Sequence, residues 1–329
     1  MPALGPSNQA VTLERGLFAW GMCVKDIGMA DPDADTAKFT DEKSFAERFF
    51  APDGPRLELA IGAATHVGKV RHRNEDHHAV IRNTRSREVL HTNLPKDGLV
   101  FPDDRAYGIV VADGIGGAAS GDFASQLALR TMFELAGRAT SWVMKITDLE
   151  SQEIRERVEA YVSEIQKTLQ VYSEADPELA GMGTTWTSAH VLGRHAIVAH
   201  IGDSRAYLYR DNQLRLITHD HTLGQEMADI GMSEDDAGRF RNILTNSLSG
   251  KDRLAQAEVY HLELQNGDRL MLCTDGLSDM VTSAQIAEVL KQQPDPQAAS
   301  DLLIERALDA GGKDNVTVVV CDVLYGSCR

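Results

Sequence analysis

Five times in the chain a carboxylate stands at the border of an apolar stretch. Glu75 and Asp76 precede "HHAVIRN", and Asp314 precedes "NVTVVVCDVL". Asp113, Asp203 and Asp275 follow "AYGIVVA", "HAIVAHI" and "DRLMLC". In Asp113-Gly114 and Asp275-Gly276 a buried strand ends in Asp-Gly. Such a strand aims its carboxylate off the sheet edge, and the bare glycine lets its carbonyl turn toward the same point. A carboxylate and a carbonyl together are a fragment of an oxygen-rich site for a hard divalent cation. Each acid taken alone is more simply a turn or surface residue. The set is different. Burying one unpaired carboxylate is costly, and gathering several without a cation is prohibitive. If these strand ends converge, metal ions are the simplest account of them.

The loop after Asp113 admits a second reading. Gly114-Ile115-Gly116-Gly117-Ala118-Ala119 fits G-x-G-x-x-A, between a strand and a helix, as in a dinucleotide fingerprint. Three features oppose it. Asp113 would repel the pyrophosphate; the residue about 20 further on, Glu134, falls inside a helix; and the surrounding order is not βαβ. A nucleotide-dependent oxidoreductase is therefore disfavoured, and the glycines serve to make room around Asp113.

The acids must be positioned by strands. "RLELAIGAAT" alternates, "HHAVIRN" and "REVLHTN" read as two strands parted by the turn-prone "TRS", and "AYGIVVADG" suits a buried strand. A helix is expected from about Asp122 to Lys145. A second is clearer, with Ile154, Val158, Tyr161, Ile165, Leu169 and Tyr172 in one stripe. "TTWTSAHVLG" and "HAIVAHIGDS" form a hairpin about Gly193-Arg194, and "AYLYR" and "QLRLIT" another about Asp211-Asn212. "DRLMLCTDGL" is a buried strand after the turn "QNGD". Two helices follow near 282–291 and 296–309, and "NVTVVVCDVL" closes as a strand. Hairpins dominate and helices come in blocks, which predicts antiparallel sheets covered by helices in an α+β fold.

Bulk properties exclude several classes. The chain has 329 residues, with 49 acidic against 33 basic and a formal charge of −16. That charge, with no basic patch, disfavours nucleic acid. No apolar run approaches the roughly 18 residues that span a membrane, and the N-terminus lacks the features of a secretory signal. The four cysteines, Cys23, Cys273, Cys321 and Cys328, show no CxxC spacing. They read as reduced thiols of a cytoplasmic chain. Residues 1–55 are acidic and weakly periodic, with one apolar cluster, "LFAWGMCV", and read as a partly ordered N-terminal extension. Residues 56–329 are expected to form one catalytic domain.

The motifs "VRHRNED", "VADGIGG", "GMGTT", "HIGDSRAYLYR", "THDHT", "LTNSLSG", "CTDGLSD" and "GGKDNVTVVV" resemble, in order and spacing, the metal-dependent serine/threonine protein phosphatases of type 2C, the bacterial branch above all. The resemblance runs from about Leu57 to about Leu324. It implies a four-layer αββα sandwich, with two central antiparallel sheets flanked by helices, and a centre of two tightly bound Mn²⁺ or Mg²⁺ ions at one end. Carried over by motif, Asp76, Asp113, the Gly114 carbonyl, Asp275 and Asp314 are implied metal ligands. Glu75 is implied to hold metal-bound water, Asp203 to help hold a third, weaker ion with Asp275, and Arg71 to grip the phosphate. Residues 222–247 correspond to the flap beside the active site. Arg239 and Arg241 there either touch substrate or, more simply, offset Glu234, Asp235 and Asp236.

The implied reaction is hydrolysis of phosphoserine or phosphothreonine in proteins by a hydroxide bridging two metal ions, with no covalent intermediate. Arg71, Asp76 and Asp113 would carry it. Partners by resemblance are phosphorylated proteins and a serine/threonine kinase or its targets, in signal transduction. Some eukaryotic relatives carry a histidine after the first Asp-Gly as a candidate general acid. Here Ile115 stands there, and His77 and His78 are weak substitutes, more simply structural. His219 and His221 are expected to shape the loop after a strand. The rival reading is a phosphatase-like regulatory module that binds partners without turnover. Such domains usually lose metal aspartates, and here all the matched acids are present.

Overall fold

The computed structural model describes residues 56–86, 90–91, 93, 104–116, 120–138, 151–250 and 254–326. The N-terminal extension, Cys23, Cys328, the end of the first predicted helix and most of "REVLHTN" lie outside the described residues.

Two five-stranded antiparallel sheets form the centre. The first joins β1 (Arg56–His66), β8 (Arg205–Arg210), β9 (Gln213–Leu216), β12 (Arg269–Cys273) and β13 (Val316–Gly326), in the order β1-β13-β12-β8-β9. The second joins β2 (His77–Arg85), β3 (Asp104–Ala112), β6 (Trp186–Leu192), β7 (His195–Ile201) and β11 (Glu258–Glu263), in the order β11-β7-β6-β3-β2. Both expected hairpins are present. Asp211 and Asn212 both take positive φ, 51° and 60°, which matches the right-handed twist of the flanking strands. Three features escaped the sequence pattern. Strand β2 continues through Thr84 and Arg85, where a turn was expected. The short segment "EVYHLE" pairs with β7 as β11. A small third sheet joins two-residue strands β4 (Gly114–Ile115), β5 (Gly183–Thr184) and β10 (Leu248–Ser249).

Alternation of side chains across the strands builds three apolar layers. Ile109, Val111, Leu208, Leu270, Leu272, Val319 and Cys321 pack between the two sheets. On the outer face of the first sheet, Met271, Cys273, Val318 and Val320 meet α5 (Asp275–Ser278), α6 (Ser283–Gln292) and α7 (Pro296–Asp309). On the outer face of the second, Val110, Ala112 and Trp186 meet α1 (Ser120–Arg138) and α2 (Ser151–Ala175). Of the expected α2 stripe, Ile154, Ile165 and Leu169 are buried and Val158 and Tyr161 half-buried, but Tyr172 at its end is exposed. Helix α6 starts at a reciprocal capping box between Thr282 and Gln285, and α7 at the Asp295 cap followed by Pro296. The order helix, sheet, sheet, helix is the four-layer α+β sandwich that the motifs implied.

The fold makes a direct prediction about its central layer. Leu272→Ala, at a fully buried position between the sheets, should cost about 2–5 kcal/mol of stability. Leu324→Ala, at an exposed position of β13, should stay within about 0.5 kcal/mol. Chemical denaturation of both variants measures the contrast.

Candidate active site

Antiparallel pairing brings the acidic borders together. Because His77 pairs with Ala112, the residues before β2 and after β3 are neighbours. Because Cys273 pairs with both Val318 and Arg205, the end of β12 lies beside the starts of β13 and β8. Arg71, Glu75, Asp113, Gly114, Asp203, Asp275 and Asp314 therefore line one cavity of about 250 Å³, with Ile115, Thr185, Asn242 and Leu244 among its other walls. Asp76 does not line it. It is deeper, 3 % exposed, and within electrostatic reach of Asp113, Asp275 and Asp314.

Two glycines permit this convergence. A Cβ on Gly114 would collide with the backbone of Gly121 in α1 and with the Glu75 carbonyl; one on Gly276 would collide with the Asn315 carbonyl. The bareness expected of the Asp-Gly pairs is thus used for close backbone approach.

Each acid is held by its neighbours. Thr274 Oγ1 donates to Asp76 Oδ2 (2.8 Å) and accepts from the Thr317 amide (2.9 Å). The Asp113 amide donates to Thr185 Oγ1 (2.9 Å), and the Asp113 carbonyl accepts from the Thr184 hydroxyl (2.8 Å) and the Thr185 amide (2.9 Å). Thr185 Oγ1 in turn meets Ser204 Oγ at 2.8 Å. Asn315 ties the first and last segments together. It accepts from the Glu75 amide (2.8 Å) and donates to the carbonyls of Val67 (2.9 Å) and Arg73 (2.8 Å). Arg71 Nη2 donates to Asp314 Oδ2 at 2.7 Å, and this bond, more than any other influence, keeps the guanidinium protonated.

The electrostatics are those of crowded anions. Loss of hydration pushes Asp76 up to about 7, opposed by hydroxyl donors and reinforced by Asp275 and Asp314. Asp275 rises to about 6, first from burial and then from Asp314 and Asp279. Burial and neighbouring carboxylates push Asp113 and Asp203 well above the ordinary range, and burial raises Glu75. Asp76 Oδ1 and Asp275 Oδ1 are buried with no hydrogen-bond partner. Orphaned carboxylate oxygens beside a polar cavity fit a divalent cation, which prefers such ligands. As the side chains stand, no three His, Cys, Asp or Glu among the described residues form a closed ligand set. Asp314 faces Arg71 instead.

Comparison with known proteins gives this constellation a family. The model of the family described as "Protein phosphatase 2C" matches residues 91–306. A serine/threonine phosphatase stp of Listeria innocua is 33 % identical over 248 residues, covering 74 % of this chain and 95 % of its own. The chain belongs to the protein phosphatase 2C family. The serine/threonine protein phosphatase PstP of Mycobacterium tuberculosis is 36 % identical over 227 residues, 67 % of this chain and 42 % of that one. A crystal structure of the same M. tuberculosis phosphatase superposes with a TM-score of 0.64 at 32 % identity, covering 81 % of this chain and 99 % of that one. A PstP catalytic domain in complex with two manganese ions superposes with a TM-score of 0.62 at 33 % identity, covering 82 % and 99 %.

Within this family fold, some residues of the site were not singled out in the sequence. Ser204, Thr274 and Asn315 each flank an acid inside a quoted motif, so adjacency was the available signal; Thr185 and Thr317 lie in quoted motifs without touching an acid in sequence. Their role depends on pairing between distant segments, which spacing does not reveal. Asn242 and Leu244 come from the 222–247 segment, which carries α3 (Leu223–Asp229) and α4 (Glu234–Ala237). Its base is closed by bonds from the Leu223 amide to the Ile243 carbonyl (2.8 Å) and from the Thr245 amide to the His221 carbonyl (2.9 Å). His77 and His78 lie off the cavity. His77 Nδ1 meets Ser125 Oγ at 2.9 Å, and burial lowers His78. His221 shapes the loop as expected, accepting from the Gly202 amide at 3.1 Å. Cys273 is buried beneath the helices, with its thiol pushed up to about 12 by burial.

Crowded acids give a pH signature. An acid whose folded pKa is raised adds stability that is complete below its unfolded pKa and lost as pH rises through its folded one. For Asp76 the window runs from 3.8 to about 7. Freed of divalent cations by chelation, the protein should lose thermal stability as pH rises across that window. Asp76→Asn should flatten the slope, as thermal melts at successive pH values would measure.

Proposed function

We infer that this chain is a metal-dependent phosphatase that hydrolyses phosphoserine and phosphothreonine in proteins. The observation that carries the reading is the convergence of Asp113, Asp203, Asp275 and Asp314 on one cavity above buried Asp76, in a chain of this family. In this reading Asp76, Asp113, the Gly114 carbonyl, Asp275 and Asp314 hold two Mn²⁺ or Mg²⁺ ions. Glu75 holds coordinated water, and Asp203 with Asp275 serves a third, weaker ion. Such cations supply Lewis acidity, making hydroxide available from water near neutral pH and offsetting phosphoryl charge.

The chain's own residues do the rest. Thr274 and Thr317 keep Asp76 in one orientation, and Thr185 anchors the backbone of Asp113. Asp314 presents the Arg71 guanidinium at the cavity wall. A planar guanidinium can grip two phosphoryl oxygens at once, which lysine cannot. No cysteine lines the cavity, and both described cysteines are buried, in keeping with direct attack by water and no covalent intermediate. Ile115 has no proton to give the leaving oxygen, so in this reading a cation-held water or another group would supply it.

The rival reading, a binding module without turnover, is not favoured, because the acids are all present and cluster. The 222–247 segment acts as the flap that meets substrate, and residues 56–329 as the catalytic domain preceded by an extension. Phosphorylated proteins are the substrates, with a serine/threonine kinase or its targets as partners in cytoplasmic signalling. Among the described residues no helix is long and apolar enough to cross a membrane.

Two outcomes test the reading. Phosphate release from phosphoserine and phosphothreonine peptides should require Mn²⁺ or Mg²⁺ and exceed that from phosphotyrosine peptides. Asp113→Ala or Asp275→Asn should abolish it, and retained turnover would overturn the assignment. Arg71→Ala should raise KM for a phosphopeptide about tenfold or more, the loss expected for a charge-assisted contact. Mn²⁺ affinity, followed by calorimetry, should stay near that of the unmodified protein. An unchanged KM would remove Arg71 from phosphate binding.

A further inference from the structure

A second cavity, of about 130 Å³, opens beside the first and shares Asn242, Asp275 and Asp314 with it. Its other walls are Arg241, Gly276, Asp279, Met280 and Lys313. Arg241 reaches it from the 222–247 segment, Asp279 from just beyond α5, and Lys313 from the turn before β13.

The two cations of this cavity are weakly engaged. Arg241 Nε lies 3.9 Å from Asp279 Oδ2, too far for a hydrogen bond. Among the described residues its guanidinium has no closer ion pair, and the Lys313 ammonium has no hydrogen bond or ion pair. Arg239 is held as loosely, 4.0 Å from Asp236 one turn back in its own segment, where it offsets local acids. The two differ in place: Arg241 lines the cavity and Arg239 does not.

The balance of charge then indicates what the cavity accepts. Asp275 and Asp314 belong to the cation site in the reading above, on which this inference rests. What remains is Arg241 and Lys313 against Asp279 alone, a net positive pocket bordering the phosphate site. We propose that this pocket is a substrate subsite for an anionic group carried next to the phosphorylated residue, either an Asp or Glu carboxylate or a second phosphate. Consecutive Cα atoms lie 3.8 Å apart. A wall shared between the cavities therefore brings a side chain one or two residues from the phosphoserine within reach.

The test is a panel of phosphoserine peptides assayed with Mn²⁺ on the full chain. The flanking residues on each side are Glu, a second phosphoserine, Ala or Lys, and p-nitrophenyl phosphate turnover is measured alongside. Glu- or phosphoserine-flanked peptides should exceed Lys-flanked ones about tenfold in kcat/KM, the effect of two partly exposed cations. The two anionic arms distinguish a carboxylate from a phosphate as the better occupant. Lys313→Gln and, separately, Arg241→Gln should collapse that ratio toward unity, each variant being normalised to its own p-nitrophenyl phosphate rate. The paired variants keep the test intact if one fails to fold. A flat panel, a preference for Lys, or an undiminished ratio in both variants would overturn the proposal while leaving the phosphatase reading standing. Loss of p-nitrophenyl phosphate turnover in the unmodified protein would instead remove the reading on which it rests.

Discussion

Like charges gathered in a poorly hydrated pocket repel, and this repulsion is the constraint around which the site is organised. Asp76, Asp203, Asp275 and Asp314 all raise the pKa of Asp113, and Asp275 raises those of Asp76 and Asp203 as well. Nothing in a folding chain favours such a gathering for its own sake, because each unpaired carboxylate would be better solvated outside. The surrounding sandwich bears the penalty. Three apolar layers of buried strands and helices fix five strand ends that would otherwise separate. The acids sit at the borders of those layers, where rigid backbone is available but side chains can still reach a cavity.

The hydroxyl and amide residues between the acids show how the repulsion is managed locally. Thr274 serves twice, donating its proton to Asp76 while its oxygen receives the Thr317 amide. It can do so because β12 and β13 are paired, so the network is a consequence of sheet register. Asn315 does the same for backbone groups on the long route from β1 to β2. These bonds satisfy one oxygen of Asp76 and leave the other orphaned. An arrangement that supports a carboxylate on one side and abandons it on the other is suited to a ligand that arrives later.

Much of this was legible in the residues. Strands were readable where they alternate or run apolar, as in β1, β6, β7, β12 and β13. The α2 stripe was readable from its period. The acids were readable because Asp-Gly after an apolar run is a local signal. Contacts that depend on pairing were not. The sheet β4-β5-β10 consists of two-residue strands, which carry no period to detect. Strand β11 does not alternate cleanly, with Glu258 on one face and His261 and Glu263 on the other, and it lies at a sheet edge, where burial imposes little pattern. The Arg71–Asp314 bond joins residues 243 apart in sequence, and only the β1–β13 pairing makes it predictable.

That bond also bears on how the site changes when it is filled. Arg71 and Asp314 are one another's nearest charged partners in the protein as it stands. Both are claimed by other partners in the proposed reaction, Asp314 by a cation and Arg71 by a phosphate. The pair is partly exposed, so its mutual attraction is worth little and is readily exchanged. Were Asp314 to hold a cation, its bond to Arg71 would weaken and the guanidinium would be released toward a phosphate. The same carboxylate that would receive the metal positions the proposed phosphate-binding arginine in its absence, and because the exposed pair is worth little, loss of Arg71 leaves cation binding near normal.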